Sequence, residues 1–458
     1  MAPGVNPLPF VHEDNLALCT DLYQLTMAAG YFENRLDQVA TFELFVRTLP
    51  PHRAFLVAAG LEQVLEYLDS LRFDGDAIHY LRRHTSFKHV SDGFFDYLRE
   101  FRFTGDVHAM PEGTVFFSNE PVLCVTAPII EAQIVETYLL TTINFQTLVA
   151  TKAARVTQAA QGRLVADFGT RRAHGPLAGL WAARASYIGG CASTSNVLAG
   201  PMFGIPVVGT AAHSWTMAFD SEEESFRRYH DVFPETTTLL IDTYDTIEGA
   251  KRAAGMGFPI QGVRLDSGDL AALSKRVRKI LDDAGKSDVK IVASGDLNEY
   301  KIADLLAEGA PIDIFGVGTE MVTSKDAPAL GGVYKLVEQR SGNKVTYKMK
   351  SSEDKATYPG AKQVFRQMDA NGRFCRDILT TADDKQGGAA LIAPVAIGGK
   401  RCAPAMPLEA IRDHAQEQIA RLDERFRALQ PEEAYPVEVS EALDKLTRRT
   451  RKQLGIQD

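Results

Sequence analysis

Six β-rich runs in the middle of the chain each end in residues able to do polar chemistry. Leu164-Val-Ala-Asp-Phe leads into Gly169-Thr-Arg-Arg-Ala-His, and Pro206-Val-Val leads into Gly209-Thr-Ala-Ala-His213. Thr238-Leu-Leu-Ile ends in Asp242-Thr-Tyr-Asp, and Gly262-Val ends in Arg264-Leu-Asp-Ser-Gly-Asp. Val289-Lys-Ile-Val-Ala ends in Ser294-Gly-Asp, and Ile312-Asp-Ile-Phe ends in Gly316-Val-Gly-Thr319. Arg264 and Asp266 stand two apart on one strand and so share a face. A cation and a carboxylate aimed into one cavity suit an anionic substrate with a metal or a polyol. The same pair can also be a structural ion pair inside a barrel.

The other strand ends carry weaker signals, each with a plainer alternative. Ser294-Gly295-Asp296 could hold phosphate through backbone N–H groups at a helix start, or Asp296 with Glu299 could be a capping pattern. Gly316-Val-Gly318-Thr319 resembles the phosphate loop found late in many barrels. His213 could be a base, a ligand, a phosphoryl acceptor or a satisfied structural histidine. Asp269 could simply cap the helix that follows. Arg171 and Arg172 form a basic pair beside Asp167, or a solvated turn. Thr20-Asp-Leu-Tyr-Gln-Leu-Thr-Met reads, by its spacing, as an ordinary amphipathic helix.

The elements that must position these residues follow from periodicity. Apolar strands without alternation, separated by helical stretches, indicate βαβ units and a parallel sheet buried on both faces. Asp245 and Glu248 open one helix. A second runs from Leu270 to Leu281, with apolar positions at Leu270, Leu273, Val277 and Ile280. A third, Tyr300 to Leu306, follows Asn298. The stretch near Ile188-Gly-Gly-Cys is long enough to hide another strand. Six or seven such units favour an α/β fold with a closed (β/α) barrel over a doubly wound sheet. The flanks differ: antiparallel strands are expected around Val115-Phe-Phe and Val122-Leu-Cys-Val, and a long helix from Glu131 to Thr157. A hairpin is expected at Ser341-Gly-Asn, and an amphipathic helix from Met406 to Leu429.

Composition narrows the classes. The chain has 458 residues, 45% hydrophobic and 24% charged, with a net charge of −9, which is ordinary for a soluble protein and disfavours nucleic acid as partner. No apolar run is long enough to span a bilayer, so no membrane association is expected. The opening Met1-Ala-Pro-Gly-Val-Asn-Pro lacks the features of a signal peptide. The five cysteines are scattered without a Cys-x-x-Cys pair, which fits a reducing cytoplasm. P-loop, dinucleotide-fingerprint, zincin and nucleophile-elbow motifs are absent.

Taken together and in order, Thr20-Asp-Leu-Tyr-Gln-Leu-Thr-Met, Phe42-Glu-Leu-Phe-Val-Arg, Asp167-Phe-Gly-Thr-Arg-Arg, Gly209-Thr-Ala-Ala-His-Ser, Gly262-Val-Arg-Leu-Asp-Ser-Gly-Asp-Leu and Phe315-Gly-Val-Gly-Thr resemble nicotinate phosphoribosyltransferases. The resemblance implies the type II phosphoribosyltransferase fold, an irregular (β/α) barrel plus an α/β sandwich built from both chain ends. Residues 1–150 would supply the N-terminal part of the sandwich, with a dimer-contacting helix. Residues 151–335 would form the catalytic barrel, and residues 336–458 the rest of the sandwich with terminal helices. It also implies a homodimer with active sites at the interface. The reaction would join nicotinate to phosphoribosyl pyrophosphate, giving nicotinate mononucleotide and pyrophosphate, with ATP as cosubstrate and Mg2+ as cofactor.

Carried over by residue, Tyr23 of a partner would stack on the pyridine, with Asp21 nearby, and Phe168 would cover the other face. Thr210 and Arg264 would hold the carboxylate. Asn196 stands where the related nicotinamide enzyme has an aspartate, and a neutral residue there favours an acid over an amide. Arg171, Asp266, Ser294, Gly295, Asp296, Gly316, Gly318 and Thr319 would cradle ribose and phosphates. His213 would accept phosphate from ATP. Lys335, Lys362 and Arg366 would be phosphate contacts across the dimer, or a solvated face. No metal ligands and no ATP motif can be assigned. The competing readings are transfer to nicotinamide or quinolinate, a barrel lyase or isomerase acting on a sugar phosphate, and a non-catalytic paralogue.

Overall fold

The computed structural model describes residue 11, residues 13–352 and residues 355–456. The opening seven residues, expected to be no signal peptide, lie outside them. Two sheets dominate. The first has seven antiparallel strands in the order Lys344–Tyr347, Gly332–Ser341, Val39–Val46, Pro121–Pro128, Asp106–Ala109, Ala393–Ile397 and Lys400–Arg401. Strands from both ends of the chain therefore pair in one sheet. Val39–Val46 is buried along nearly its whole length, so both faces of the sheet are covered at its centre, while the edge strands are largely exposed. The expected hairpin forms: Ser341 pairs with Lys344, and Gly342 takes φ +56° at the first loop position, a conformation glycine adopts without steric cost.

The second sheet is parallel, ordered Ser193–Thr194, Leu164–Asp167, Ile314–Val317, Lys290–Ala293, Gly262–Leu265 and Thr238–Leu240. Ser193–Thr194 is the strand hidden after Ile188-Gly-Gly-Cys. The sheet curls, because residues of its two edges and its centre line one cavity of about 440 Å3. The expected strand at Pro206 shrinks to a single parallel bridge between Val207 and Thr194. Thr194 N–H donates to the Pro206 carbonyl at 3.0 Å and Val208 N–H to the Thr194 carbonyl at 2.9 Å. Among the described residues no ladder forms on the other side, and the barrel carries a seam beside Thr238–Leu240. That irregularity matches the expected fold class.

The connecting helices begin at the expected caps. Asp245 accepts from Ile247 and Glu248 N–H before Thr246–Gly255, and Asp269 accepts from Ala272 N–H before Leu270–Asp283. The long helix entering the barrel is split into Ile129–Ile134 and Glu136–Ala159. The C-terminal amphipathic helix is shorter than its apolar period suggests. It ends at Arg421, Leu422 is extended, and Asp423 caps a separate turn, Glu424–Arg427. Ile411, Ala415, Ile419, Leu422 and Phe426 are nonetheless all buried. The period marks the buried face, while Asp423 breaks the backbone by bonding locally. Among the described residues no helix is long and apolar enough to cross a membrane.

Candidate active site at the barrel mouth

Arg264 is the hub. It lies on the strand Gly262–Leu265 with its side chain largely buried. Its Nε donates to Ser294 Oγ at 2.7 Å, Nη1 to Thr210 Oγ1 at 2.8 Å and Nη2 to Asp266 Oδ1 at 2.6 Å. The guanidinium carbon stands 5.5 Å from the centroid of the Phe168 ring. Four separate strand ends thus converge on one cation. A guanidinium has five N–H donors, so one on each terminal nitrogen is left for a ligand.

Ser294 relays this charge. Its hydroxyl accepts from Arg264 and donates to Asp266 Oδ1 at 2.5 Å. Burial alone would raise the Asp266 carboxyl, but the Ser294 hydroxyl and the Arg264 cation, with His213 beyond, outweigh it and hold its pKa below the ordinary aspartate range. Asp266 Oδ2 faces His213 Nε2 at 4.0 Å. His213 opens the short helix His213–Met217, and its Nδ1 lies 3.2 Å from Thr243 Oγ1.

Asp242 and Thr243 are site residues that sequence reasoning left unassigned. Asp242 Oδ2 accepts from Asp266 N–H at 2.8 Å and Ser267 Oγ at 2.7 Å, while Oδ1 is buried without a partner. Their signal was position alone, at the tip of Thr238–Leu240. Asp167 sets the turn after its own strand. Its carboxylate accepts from Gly169 N–H at 2.8 Å and Thr194 Oγ1 at 2.7 Å. Burial, partly offset by these bonds, pushes its pKa up to about 6.

Phe168, Arg171, Arg172, Arg264, Asp266, Ser294, Gly295, Asp296, Gly316, Gly318 and Thr319 line a polar cleft of about 180 Å3. Arg171 and Arg172 lie on the turn Thr170–Arg172 with exposed side chains. The Ser294-Gly-Asp turn takes two left-handed residues, Gly295 at φ +97° and Asp296 at φ +48°. A Cβ on Gly295 would fall 2.0 Å from the Asp266 carbonyl oxygen, so only glycine fits there. The capping alternative for Asp296 is corrected. Asn298 caps the helix Glu299–Ala307 by accepting from Lys301 N–H, because it is the residue placed three before that N–H.

Some candidates lie elsewhere. Asn196 is buried, with Oδ1 accepting from Ala199 N–H at 3.2 Å, and it lines neither cavity. Tyr23 sits on the helix Leu22–Glu33, which packs on the N-terminal helices rather than the barrel, and is half exposed beside exposed Leu22 and Met27. Asp21 there accepts from Thr137 Oγ1 at 2.9 Å. Lys362 and Arg366 are neither phosphate contacts nor a solvated face. Lys362 is buried against Glu43 at 2.6 Å, and Arg366 against Asp377 at 2.6 Å. Lys335 Nζ donates to the Tyr334 carbonyl at 3.2 Å.

Comparison with known proteins gives phosphoribosyltransferase domains along most of the chain. Residues 18–144 match the nicotinate phosphoribosyltransferase N-terminal domain, residues 149–327 the quinolinate phosphoribosyl transferase C-terminal domain, and residues 389–447 the nicotinate phosphoribosyltransferase C-terminal domain. Nicotinate phosphoribosyltransferase pncB2 of Mycobacterium tuberculosis is 48% identical over 436 residues, covering 93% of this chain and 92% of that protein. Nicotinate phosphoribosyltransferase of Bacillus subtilis is 39% identical, covering 94% of each. The crystal structure of human nicotinic acid phosphoribosyltransferase superposes with a TM-score of 0.83 at 30% identity, covering 94% of this chain and 99% of that one. Nicotinate-nucleotide pyrophosphorylase from Pyrococcus furiosus superposes at 0.74 and 26% identity, covering 90% and 98%.

Proposed function

The chain belongs to the nicotinate phosphoribosyltransferase family, and from that premise we propose that its barrel mouth moves the phosphoribosyl group of phosphoribosyl pyrophosphate onto the ring nitrogen of nicotinate. The product is nicotinate mononucleotide, a step of NAD salvage. The observation that carries this is the Arg264 fork. Three of its N–H groups are fixed by Ser294, Thr210 and Asp266, and the remaining two point from a planar cation beside an aromatic face. That is a receptor for a carboxylate on a flat ring.

The chemistry follows from what surrounds it. The pyridine nitrogen attacks the anomeric carbon, the bond to pyrophosphate breaks, and its electron pair leaves with pyrophosphate. Positive charge developing on the sugar faces Asp266, which Ser294 and Arg264 keep ionised. Arg171 and Arg172 offer exposed cations to the phosphates. A divalent cation fits the donors present: Asp242 Oδ1 is buried and unpaired, and Asp266 Oδ2 lies in the same mouth. Among the described residues no group of three His, Cys, Asp or Glu is placed to hold a metal. Mg2+ would therefore be held by one or two carboxylates and by the donor's own oxygens. It would neutralise charge on the departing pyrophosphate.

His213 is assigned the ATP-coupled step. The γ-phosphoryl group passes to its imidazole, ADP departs, and the later loss of phosphate to water closes the cycle. The site of the rest of the nucleotide is left open. The cleft needs a second wall for the pyridine, and Tyr23 is assigned that place in a homodimer, reaching in from the partner subunit. Its exposure, with Leu22 and Met27, supports this. Free, exposed Cys375 and Cys402 suit a reducing cytoplasm. Turnover of nicotinate, nicotinamide and quinolinate under one set of conditions tests the assignment. Preference for nicotinate is expected, and a clear preference for nicotinamide would overturn it.

A further inference from the structure

The polar cleft of about 180 Å3 and the barrel cavity of about 440 Å3 are lined by different residues, with one exception, Phe168. The larger cavity reaches the opposite end of the barrel, where Leu164, Thr238 and Ile314 begin their strands. The Phe168 ring is therefore the partition between the reacting cleft and a space open at the far side. Beside it, the Arg264–Thr210 hydrogen bond joins the two linings.

What holds that ring is an absence of atoms. A Cβ on Gly316 would fall 2.4 Å from Phe168 Cδ2 and 2.5 Å from Cε2. The nearest atoms are ring carbons, so the ring and not the backbone would have to yield. The Phe168 backbone cannot follow it freely, because its N–H is bonded to the Val317 carbonyl at 2.9 Å. Gly316 has φ outside the left-handed region, so no backbone conformation demands glycine here. The demand is space.

We propose that Gly316 is a positioning residue, whose missing side chain seats Phe168 as the plug between the transfer cleft and the barrel interior. The inference rests on the phosphoribosyl-transfer reading and gives Gly316 a role other than phosphate contact. A seated ring presents its free face to nicotinate and keeps water in the barrel from the anomeric carbon. If the plug loosens, a water oxygen attacks that carbon, pyrophosphate leaves, the proton passes to solvent, and ribose 5-phosphate is released.

The test compares Gly316→Ala, Phe168→Ala and the double variant. Gly316→Ala is expected to raise KM for nicotinate roughly three- to tenfold, the scale of one aromatic contact, and to raise the ribose 5-phosphate formed per mononucleotide. KM for phosphoribosyl pyrophosphate should stay within about twofold, since no phosphate contact is lost. In the Phe168→Ala background, where there is no ring to displace, Gly316→Ala should add nothing. That comparison also serves if Gly316→Ala alone does not fold. A rise in KM for phosphoribosyl pyrophosphate, or an additive loss in the Phe168→Ala background, would overturn the proposal. Wild-type protein that makes no mononucleotide would instead overturn the functional reading beneath it.

Discussion

Asp266 Oδ2 stands 4.0 Å from His213 Nε2, while Asp266 Oδ1 is tied to Ser294 and Arg264. One carboxylate thus lies between the group assigned to the nicotinate carboxylate and the group assigned to ATP. Phosphate on His213 would place new negative charge beside Asp266, a local change at the centre of the mouth. Replacing His213 by Ala should therefore abolish ATP stimulation while leaving some ATP-independent transfer. Initial rates with and without ATP check this, and unchanged stimulation would contradict the role.

Ser294→Ala removes a hydrogen bond that lowers the Asp266 pKa. With that bond gone, the folded-state pKa rises toward the ordinary value, and the ionised form is lost at higher pH. The acidic limb of the kcat/KM profile should move upward in pH. A limb that stays in place would show that Asp266 ionisation does not limit the reaction.

Asp167 is buried with a pKa of about 6 against an ordinary value of 3.8. The folded protein thus holds this proton more tightly than the unfolded chain. The stabilising contribution is fully present below the unfolded value and is lost as pH rises through about 6. The shift corresponds to about 3 kcal/mol. Urea unfolding of wild type and Asp167→Asn at several pH values isolates it. The difference should move in favour of the variant as pH rises from about 4 to about 7, whatever constant offset the lost acceptor adds. A pH-independent difference would contradict this.

Tyr23 offers a test of the shared site. In the proposed homodimer, the Tyr23→Ala and Arg264→Ala variants should each be weak alone. Mixing them under conditions of subunit exchange should restore activity, because one mouth of the mixed dimer then has both an intact arginine and an intact partner tyrosine. No recovery after verified exchange would place Tyr23 outside the site.

The strand ends are legible because parallel strands buried on both faces are mostly apolar, so polar residues gather where each strand runs out into the mouth. Asp266, Ser294 and Thr319 follow their strands in this way, while Arg264 lies within its strand, one residue before Leu265. What local pattern could not show were partners distant in the chain. Lys362 looks like a free cation until Glu43, 319 residues earlier, is placed against it, and Arg366 is consumed by Asp377 in the same fashion. Asp242 gave no sign that it would hold the Asp266 N–H. The Pro206 run is apolar in sequence, yet it makes only a single bridge, to Thr194, and no ladder to Thr238–Leu240. Gly316 reads as part of a phosphate loop, and in sequence a glycine needed for space is identical to one needed for ligand approach; it lines the polar cleft, and a Cβ there would also meet the Phe168 ring.

The most direct measurement is product formation by wild type and Arg264→Ala from nicotinate, phosphoribosyl pyrophosphate, Mg2+ and ATP, followed by mass spectrometry. The wild type should make nicotinate mononucleotide. Loss of a charge-assisted contact worth about 1.5–3 kcal/mol should cut kcat/KM for nicotinate roughly ten- to 150-fold in the variant, with a smaller loss for nicotinamide. A wild type that forms no mononucleotide, or a variant as active on nicotinate as its parent, would contradict the account.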